Sequence, residues 1–344
     1  MKLSIFSVQD HYPDRPRTVP ALYGEVIDQA VLADRLGYDG FFAAEHHFHP
    51  YGVAPDPALL LSAMSQRTRR IRLGTAISVL TFHDPRTLAE SFAMTDVISG
   101  GRFVLGVGSG YLKHEFEGYG IAAEEKRERF DECLEAVALL LTGERVTFHG
   151  KYHHLDDVKI NVLPMQNPLP TYVAILRKEA AYHVGRQGKG LMSVPYAALD
   201  RFEDIGPMIA EFRRGRQEAG KTSALPPSIG DNIVCLHTHV AETDAEARRI
   251  SAAAFDLYVE TRLYAKRMVY DDILRSGICL FGSVDTIADR LCALAEMGID
   301  HIMTLQNFGG LPAPEVERSM QMMVERVMPL VAARLARKPA VAVA

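Results

Sequence analysis

A joint used twice, near the two ends of the chain, constrains the fold more than any other feature. LGYDGFF at Leu36–Phe42 and MGIDHIM at Met297–Met303 each read as a helix end, a glycine stop, an acidic residue and a buried strand. Glycine closes a helix in the left-handed conformation at no Cβ cost, so the chain can turn directly into the next strand. Between these joints short apolar strands alternate with amphipathic helices, and no Ser/Gly linker or low-complexity tract divides them. Strands are expected at Leu3–Val8, Gly40–Ala44, Ile71–Val79, Arg102–Val107, Thr171–Ile175, Gly190–Val194, Asn232–His237 and His301–Gln306. Helices are expected at Ala21–Leu36, Pro57–Gln66, from Asp84-Pro85 to Gly100-Gly101, at Glu124–Leu141, around Glu179–Arg186, at Ser283–Met297 and at Pro314–Leu335. Eight such units joined by right-handed crossovers favour closure into one α/β domain, a (β/α)8 TIM-like barrel spanning residues 1–344. An open doubly wound sheet is the rival, and it would show fewer strands. Residues 146–159 read as a hairpin excursion, and the charged helical segment 244–276 as an insertion placed to act as a lid.

The second strand, apolar from Phe41 to Ala44, runs straight into Glu45-His46-His47. In parallel α/β folds ligands gather at the carboxyl ends of strands, and histidine moves protons near neutral pH, so this cluster is the first candidate active site. The plainer alternative is that these side chains only cap the strand end. Gly106-Val107-Gly108-Ser109-Gly110 follows the fourth strand, where glycines allow a flat ring or a phosphate to approach the backbone. A Rossmann fingerprint belongs in the first unit and opens a helix, whereas this run leads into YLKHEFEGYG, read as a loop. Arg177 and Lys178 stand before the helix near Glu179, where free amides already favour an anion. Arg127 and Arg129 reach toward the same anion, or else pair with Glu125, Glu128 or Glu132 along their own helix.

His47 and His49, with His237 and His239, form two HxH patterns that raise a metal-dependent hydrolase. The other strand ends offer Gly108-Ser109, Leu176-Arg177, Val194-Pro195 and Asn307-Phe308, so the ligand count fails and no metal is expected. His49 and His239 read as exposed loop residues. The 344 residues are 48% hydrophobic and 24% charged, enough for a large core, and the formal charge of -5 gives no footprint for nucleic acid or anionic membrane. Cys133, Cys235, Cys279 and Cys292 form no CxxC pair, MKLSIFSVQDHY lacks a signal-peptide core, and no stretch nears the twenty or so apolar residues of a spanning helix. A cytoplasmic enzyme acting on a small molecule is the expectation.

Taken together, AEHHF after strand two, IRLGTAISVLTFHDP across strand three, SGGRFVLGVGSGY around strand four, and FGSVDTIADRL with HIMTLQNFGGL resemble the bacterial luciferase-like flavin monooxygenase family, over nearly the whole chain. The resemblance implies a barrel that binds reduced FMN, with O2 as co-substrate through a flavin C4a-hydroperoxide. His46 would support that species, with Glu45 and His47 orienting it or facing the substrate. It also implies a non-prolyl cis peptide at Ala76-Ile77 beneath the flavin, Gly108 among the cofactor-binding residues, and a phosphate pocket at Ser109, Arg177 and Lys178, reached by Arg127 or Arg129. The reactive thiol of bacterial luciferase falls at Gly108 here, its neighbouring arginine at Ser109, and a small hydroxyl residue of the phosphate loop near Leu176, so light emission is not implied. Phe6, Phe82, Tyr111 and Phe308 are candidates for an apolar substrate wall, with Gln9 and Asn307 holding a polar group. No nicotinamide fingerprint is visible, so a separate flavin reductase and a homodimer built on first-half helices are expected partners. A deazaflavin-dependent dehydrogenase of the same fold and a non-catalytic flavin-binding protein remain the alternatives.

Overall fold

Eight parallel strands form a closed barrel in the computed structural model, which describes residues 1–220, 225, 230–262 and 267–337. They are β1 Lys2–Ser7, β2 Gly40–Ala43, β3 Arg72–Thr75, β4 Phe103–Gly108, β5 Thr171–Ile175, β6 Gly190–Ser193, β7 Asn232–Ala241 and β8 His301–Asn307. Each pairs with the next in sequence, and β8 returns to pair with β1. Closure leaves no free edge and rules out the open sheet. Every strand then ends at one mouth.

The repeated joint behaves as its residues dictate. Gly37 closes the helix Val19–Leu36 at φ 86, donating to Ala33 and Asp34. Asp39 then accepts the Leu3 N–H at 2.8 Å, tying the joint to β1 before β2 begins. Gly298 repeats the stop at φ 83 ahead of β8. Asp84 caps the helix Pro85–Ser99 through its side chain, with proline in the first turn.

The structure departs from the sequence reading in several places, each with a local reason. Strand three is broken: the Ala76–Ile77 peptide is cis, and beyond it only Ser78–Val79 resumes, pairing with Val107–Gly108 of β4. β7 runs on to Ala241 because Thr238–Ala241 finds a partner in an extra strand, Leu280–Ser283, outside the barrel. His239 is therefore buried in a strand, 1% exposed, and not in an exposed loop. YLKHEFEGYG is not a loop throughout, since Lys113–Tyr119 is helical. A helix at Ile205–Glu218 supplies the crossover between β6 and β7. Val146–His149 pairs antiparallel with His154–Val158. The segment 244–276 contains helices Asp244–Thr261 and Tyr270–Ser276, with residues 263–266 outside the described set. No helix among the described residues is long and apolar enough to cross a membrane.

Candidate active site

Glu45, His46 and His47 follow β2 directly, and all three are buried at the barrel mouth. Two separate carboxylates organise them. Glu45 uses one oxygen for His47 Nε2 (3.0 Å) and His83 Nε2 (2.7 Å), and the other for the Ser78 hydroxyl (2.9 Å) and the Val79 N–H (3.0 Å). Burial alone would raise the Glu45 pKa, but the hydrogen bonds and charges of His47 and His83 outweigh it and hold the carboxylate at about 2. Burial works against the charged form of His83 as well, yet Glu45 and Asp56 keep its pKa above the ordinary value. Glu45, His47 and His83 also place their ligand atoms within 4.8 Å of one another, a spacing open to a metal ion. Both histidine nitrogens are spent on Glu45, and Tyr119 contacts the other nitrogen of His47 at 3.2 Å, so the cluster is already a closed hydrogen-bond network.

His46 belongs to the second carboxylate. Its Nδ1 lies 3.0 Å from Glu115 Oε1, and the same oxygen accepts the His47 N–H at 3.0 Å. A carboxylate acceptor fixes the proton on Nδ1 and leaves Nε2 as the basic atom. Burial pushes the His46 pKa below its ordinary value; Glu115 opposes this, while the nearby Arg262 adds to it. Orientation of His46 thus comes from Glu115, and Glu45 orients His47 and His83. Glu115 is hard to single out in the sequence because its helix has only seven residues and no side-chain cap. The apolar pair Leu112 and Phe116 flanking it, buried and four residues apart, was the available signal.

The proposed flavin residues divide into two groups. Ala76 and Ile77 lead into Ser78–Val79, which pairs with Val107–Gly108 at the end of β4; Ser109 follows that strand, and Arg177 and Lys178 follow its neighbour β5. The backbone at Gly108 packs so closely that a Cβ there would stand 2.2 Å from Ile77 Cδ1. Ala76, Ile77, Ser109, Gly110, Leu176 and Val194 are half-buried, at the ends of strands whose residues are otherwise mostly buried. The floor they form is small and mostly apolar. Arg177 and Lys178 are exposed beside it. Arg127 and Arg129, in contrast, turn along their own helix: Arg127 pairs with Asp131 at 2.7 Å, and Arg129 pairs with Glu125 at 2.8 Å while lying over Tyr152. Helical spacing favoured these local partners over a distant anion.

The expected substrate wall is also partly redrawn. Tyr111 lies at the mouth, its ring edge-on to His46 at 6.4 Å and its hydroxyl 3.4 Å from that of Tyr51. Phe82 stacks on Tyr119 at 4.7 Å and abuts His47. Phe308 joins His237, Phe255 and Tyr258 in a ring cluster under the helix Asp244–Thr261. Phe6 is buried in β1. Gln9 donates to the Ser7 carbonyl at 2.7 Å, and its oxygen has no partner among the described residues. Asn307 is turned away, its amide donating at 3.0 Å to Gln29 on the helix Val19–Leu36. Arg262, absent from the sequence candidates, lies over both Tyr51 (4.9 Å) and Tyr258 (4.5 Å).

A family model described as luciferase-like monooxygenase matches residues 1–301. The chain belongs to this family. Among solved luciferase-like monooxygenases, the monooxygenase RslO1 from Streptomyces bottropensis is 30% identical and superposes with a TM-score of 0.86 over 96% of this chain and 99% of its own. Limonene 1,2-monooxygenase of Rhodococcus erythropolis is 28% identical over 285 residues, 80% of this chain and 70% of the relative. F420-dependent glucose-6-phosphate dehydrogenase of Intrasporangium calvum is 36% identical over 190 residues, but the match spans only 52% of this chain and 56% of that protein. Within the luciferase-like family, the relatives of this chain therefore include both oxygenases and F420-dependent dehydrogenases.

Proposed function

We propose that this chain is a flavin-dependent monooxygenase that uses reduced FMN and dioxygen to oxygenate a small organic substrate. The observation that carries the reading is His46, oriented by Glu115 and buried at a barrel mouth whose adjoining strand ends form a small apolar floor. Reduced FMN, when bound, supplies two electrons, so that one atom of dioxygen enters the substrate and the other leaves as water. The protein supplies the rest. Ala76, Ile77 and Gly108 would hold the ring, and Ser109, Arg177 and Lys178 would hold the phosphate. His46 Nε2 takes and returns a proton at the reacting face, while Glu115 keeps the tautomer that makes this possible. Glu45 locks His47 and His83 beneath Ser78–Val79, which stiffens the edge of the floor. The helix Asp244–Thr261, with Arg262 at its end, roofs the mouth and keeps water out. A separate reductase delivers the reduced flavin. A homodimer forms through the helices Pro57–Ser65 and Pro85–Ser99, which expose Leu59, Met94, Val97 and Ile98.

The F420-dependent relatives favour a second reading, a dehydrogenase in which a bound deazaflavin would supply the hydride chemistry and the same His46 would take the substrate proton. The match to RslO1 across 96% of the chain favours the oxygenase. Anaerobic titration with FMN and with F420, followed by admission of oxygen and by metal analysis, separates the two. The oxygenase reading expects FMN to bind reduced and to reoxidise slowly, and His46→Ala to speed that reoxidation. Binding of F420 with no affinity for FMN would replace it with the dehydrogenase, and stoichiometric metal without flavin binding would overturn both.

A further inference from the structure

The histidine that matters most to a cation belongs to neither HxH pattern. Among the described residues, Glu45, His47 and His83 bring one ligand atom each within 4.8 Å of one another, and His49, His237 and His239 do not join them. His83 comes from the turn before Asp84-Pro85 and folds back onto Glu45, 38 residues earlier. Two imidazoles and one carboxylate are the donor set of zinc and iron(II) centres with three protein ligands, whereas Mg2+ and Ca2+ call for oxygen. The outer contacts are also in place. The Ser78 hydroxyl (2.9 Å) and the Val79 N–H (3.0 Å) hold Glu45 Oε2, which aims Oε1 at both Nε2 atoms, 3.0 Å away for His47 and 2.7 Å for His83. The Tyr119 hydroxyl lies 3.2 Å from His47 Nδ1. Partners of this kind orient the ligands of metal sites. Ligand atoms around a tetrahedral ion stand roughly 3.3 Å apart, so a shift of about half an ångström admits one. The Glu45 and His47 side chains are 1% and 5% exposed, but that of His83 is 26% exposed, which leaves a way in from solvent.

We propose that Glu45, His47 and His83 form a three-ligand site for a divalent transition-metal cation, Zn2+ or Fe2+, that fastens the end of β2 to the turn beyond Ser78–Val79. The closed hydrogen-bond network is the proton-loaded form of this site. When the ion enters, the Nε2 proton of His47 moves to Nδ1, where the Tyr119 hydroxyl accepts it, and that of His83 passes to its own Nδ1 or to solvent. Glu45 Oε1 then gives its charge to the ion in place of two N–H groups, and water on the His83 side completes the coordination. His46 takes no part, since Glu115 holds its Nδ1. The ion is thus a clamp at the edge of the floor and not a member of the proton-transfer machinery, and the inference does not depend on the flavin reading.

The full-length protein, stripped with EDTA and dialysed, is titrated calorimetrically with Zn2+ and, as the oxygen-seeking control, with Mg2+, with thermal melts in parallel. One Zn2+ should bind per chain, at least about a hundredfold tighter than Mg2+, and should raise the melting midpoint. Tyr119→Phe removes only an outer partner and should weaken zinc binding about tenfold, whereas His83→Ala should lose more than the roughly 100-fold that an outer partner can cost. His149→Ala controls for adventitious zinc on the exposed hairpin, where His149 meets Asp156 at 2.6 Å, and should change nothing. Circular dichroism checks each variant. Should His83→Ala not fold, NMR of the wild-type histidine rings decides, because zinc should move the His47 and His83 resonances far more than that of His46. No stoichiometric zinc, equal affinity for Mg2+, undiminished binding in His83→Ala, or a loss that follows His149→Ala would overturn the proposal. FMN titration of the same proteins keeps the two questions apart, because failure to bind flavin refutes the flavin reading and leaves the zinc stoichiometry standing.

Discussion

Glu115 is the residue on which the site depends most, and replacing it twice separates its two contributions. One oxygen accepts from His46 Nδ1 and from the His47 N–H, both at 3.0 Å, and the side chain is 1% exposed. Glu115→Ala leaves two buried donors unmet, each worth about 1–3 kcal/mol, so about 2–6 kcal/mol of stability should be lost, with a water in the vacated space giving the low end. Glu115→Gln can keep its amide oxygen where Oε1 stands and lose only the charge, which roughly halves each bond and costs about 1–2 kcal/mol. The pH response gives an independent reading. Burial lowers the His46 pKa and Glu115 opposes that fall, so either variant should drive it lower still. A histidine depressed in the folded state leaves stability intact above its unfolded pKa of about 6.5 and erodes it as pH falls toward the folded value. In the variants that erosion should extend to more acidic pH. Urea denaturation at several pH values gives the stabilities, and NMR titration of the His46 ring gives the pKa. Equal losses for Ala and Gln, or a His46 pKa that rises in Glu115→Gln, would refute the assignment of Glu115 as the group that orients and charges the site.

Three further outcomes follow from the same geometry. The fall of the Glu45 pKa from 4.5 to about 2 is worth roughly 3 kcal/mol, present above pH 4.5 and lost as pH falls toward 2; the stability gap between wild type and Glu45→Leu in denaturant should therefore narrow on acidification. Gly106→Ala puts a Cβ 2.1 Å from the Thr75 carbonyl oxygen and should cost about 3 kcal/mol or more, whereas Gly108→Ala meets only the movable Ile77 Cδ1 and should fold normally while weakening flavin binding, as thermal melts and flavin titration would show. Leu59→Glu combined with Met94→Glu should convert the proposed homodimer to monomer in sedimentation without changing its circular dichroism, because both side chains are exposed, at 71% and 52%.

The elements that could be read in the sequence are those whose signal is local. Gly37 and Gly298 stop helices by their own backbone freedom, Asp84-Pro85 starts one, and the run Phe41–Ala44 can only be a buried strand. The Glu45-His46-His47 cluster was legible because its place at a strand's carboxyl end follows from that run. What stayed hidden depends on partners far along the chain. Strand seven continues past His237 through His239 only because Leu280–Ser283, some forty residues on, offers it an edge. Glu115 reaches His46 across 69 residues from a helix too short to announce itself. Arg127 and Arg129 illustrate the converse error, since partners four residues away were already in the sequence and local pairing prevailed over a distant phosphate. Arg262 needed the most long-range information: nothing near it in sequence says that the end of the helix Asp244–Thr261 returns over Tyr51, and only barrel closure brings that arginine beside His46. In this fold the strands are written locally, whereas the groups that activate and roof the site are written in the connections beyond β2, β4 and β7 and acquire meaning only where those connections meet at the mouth.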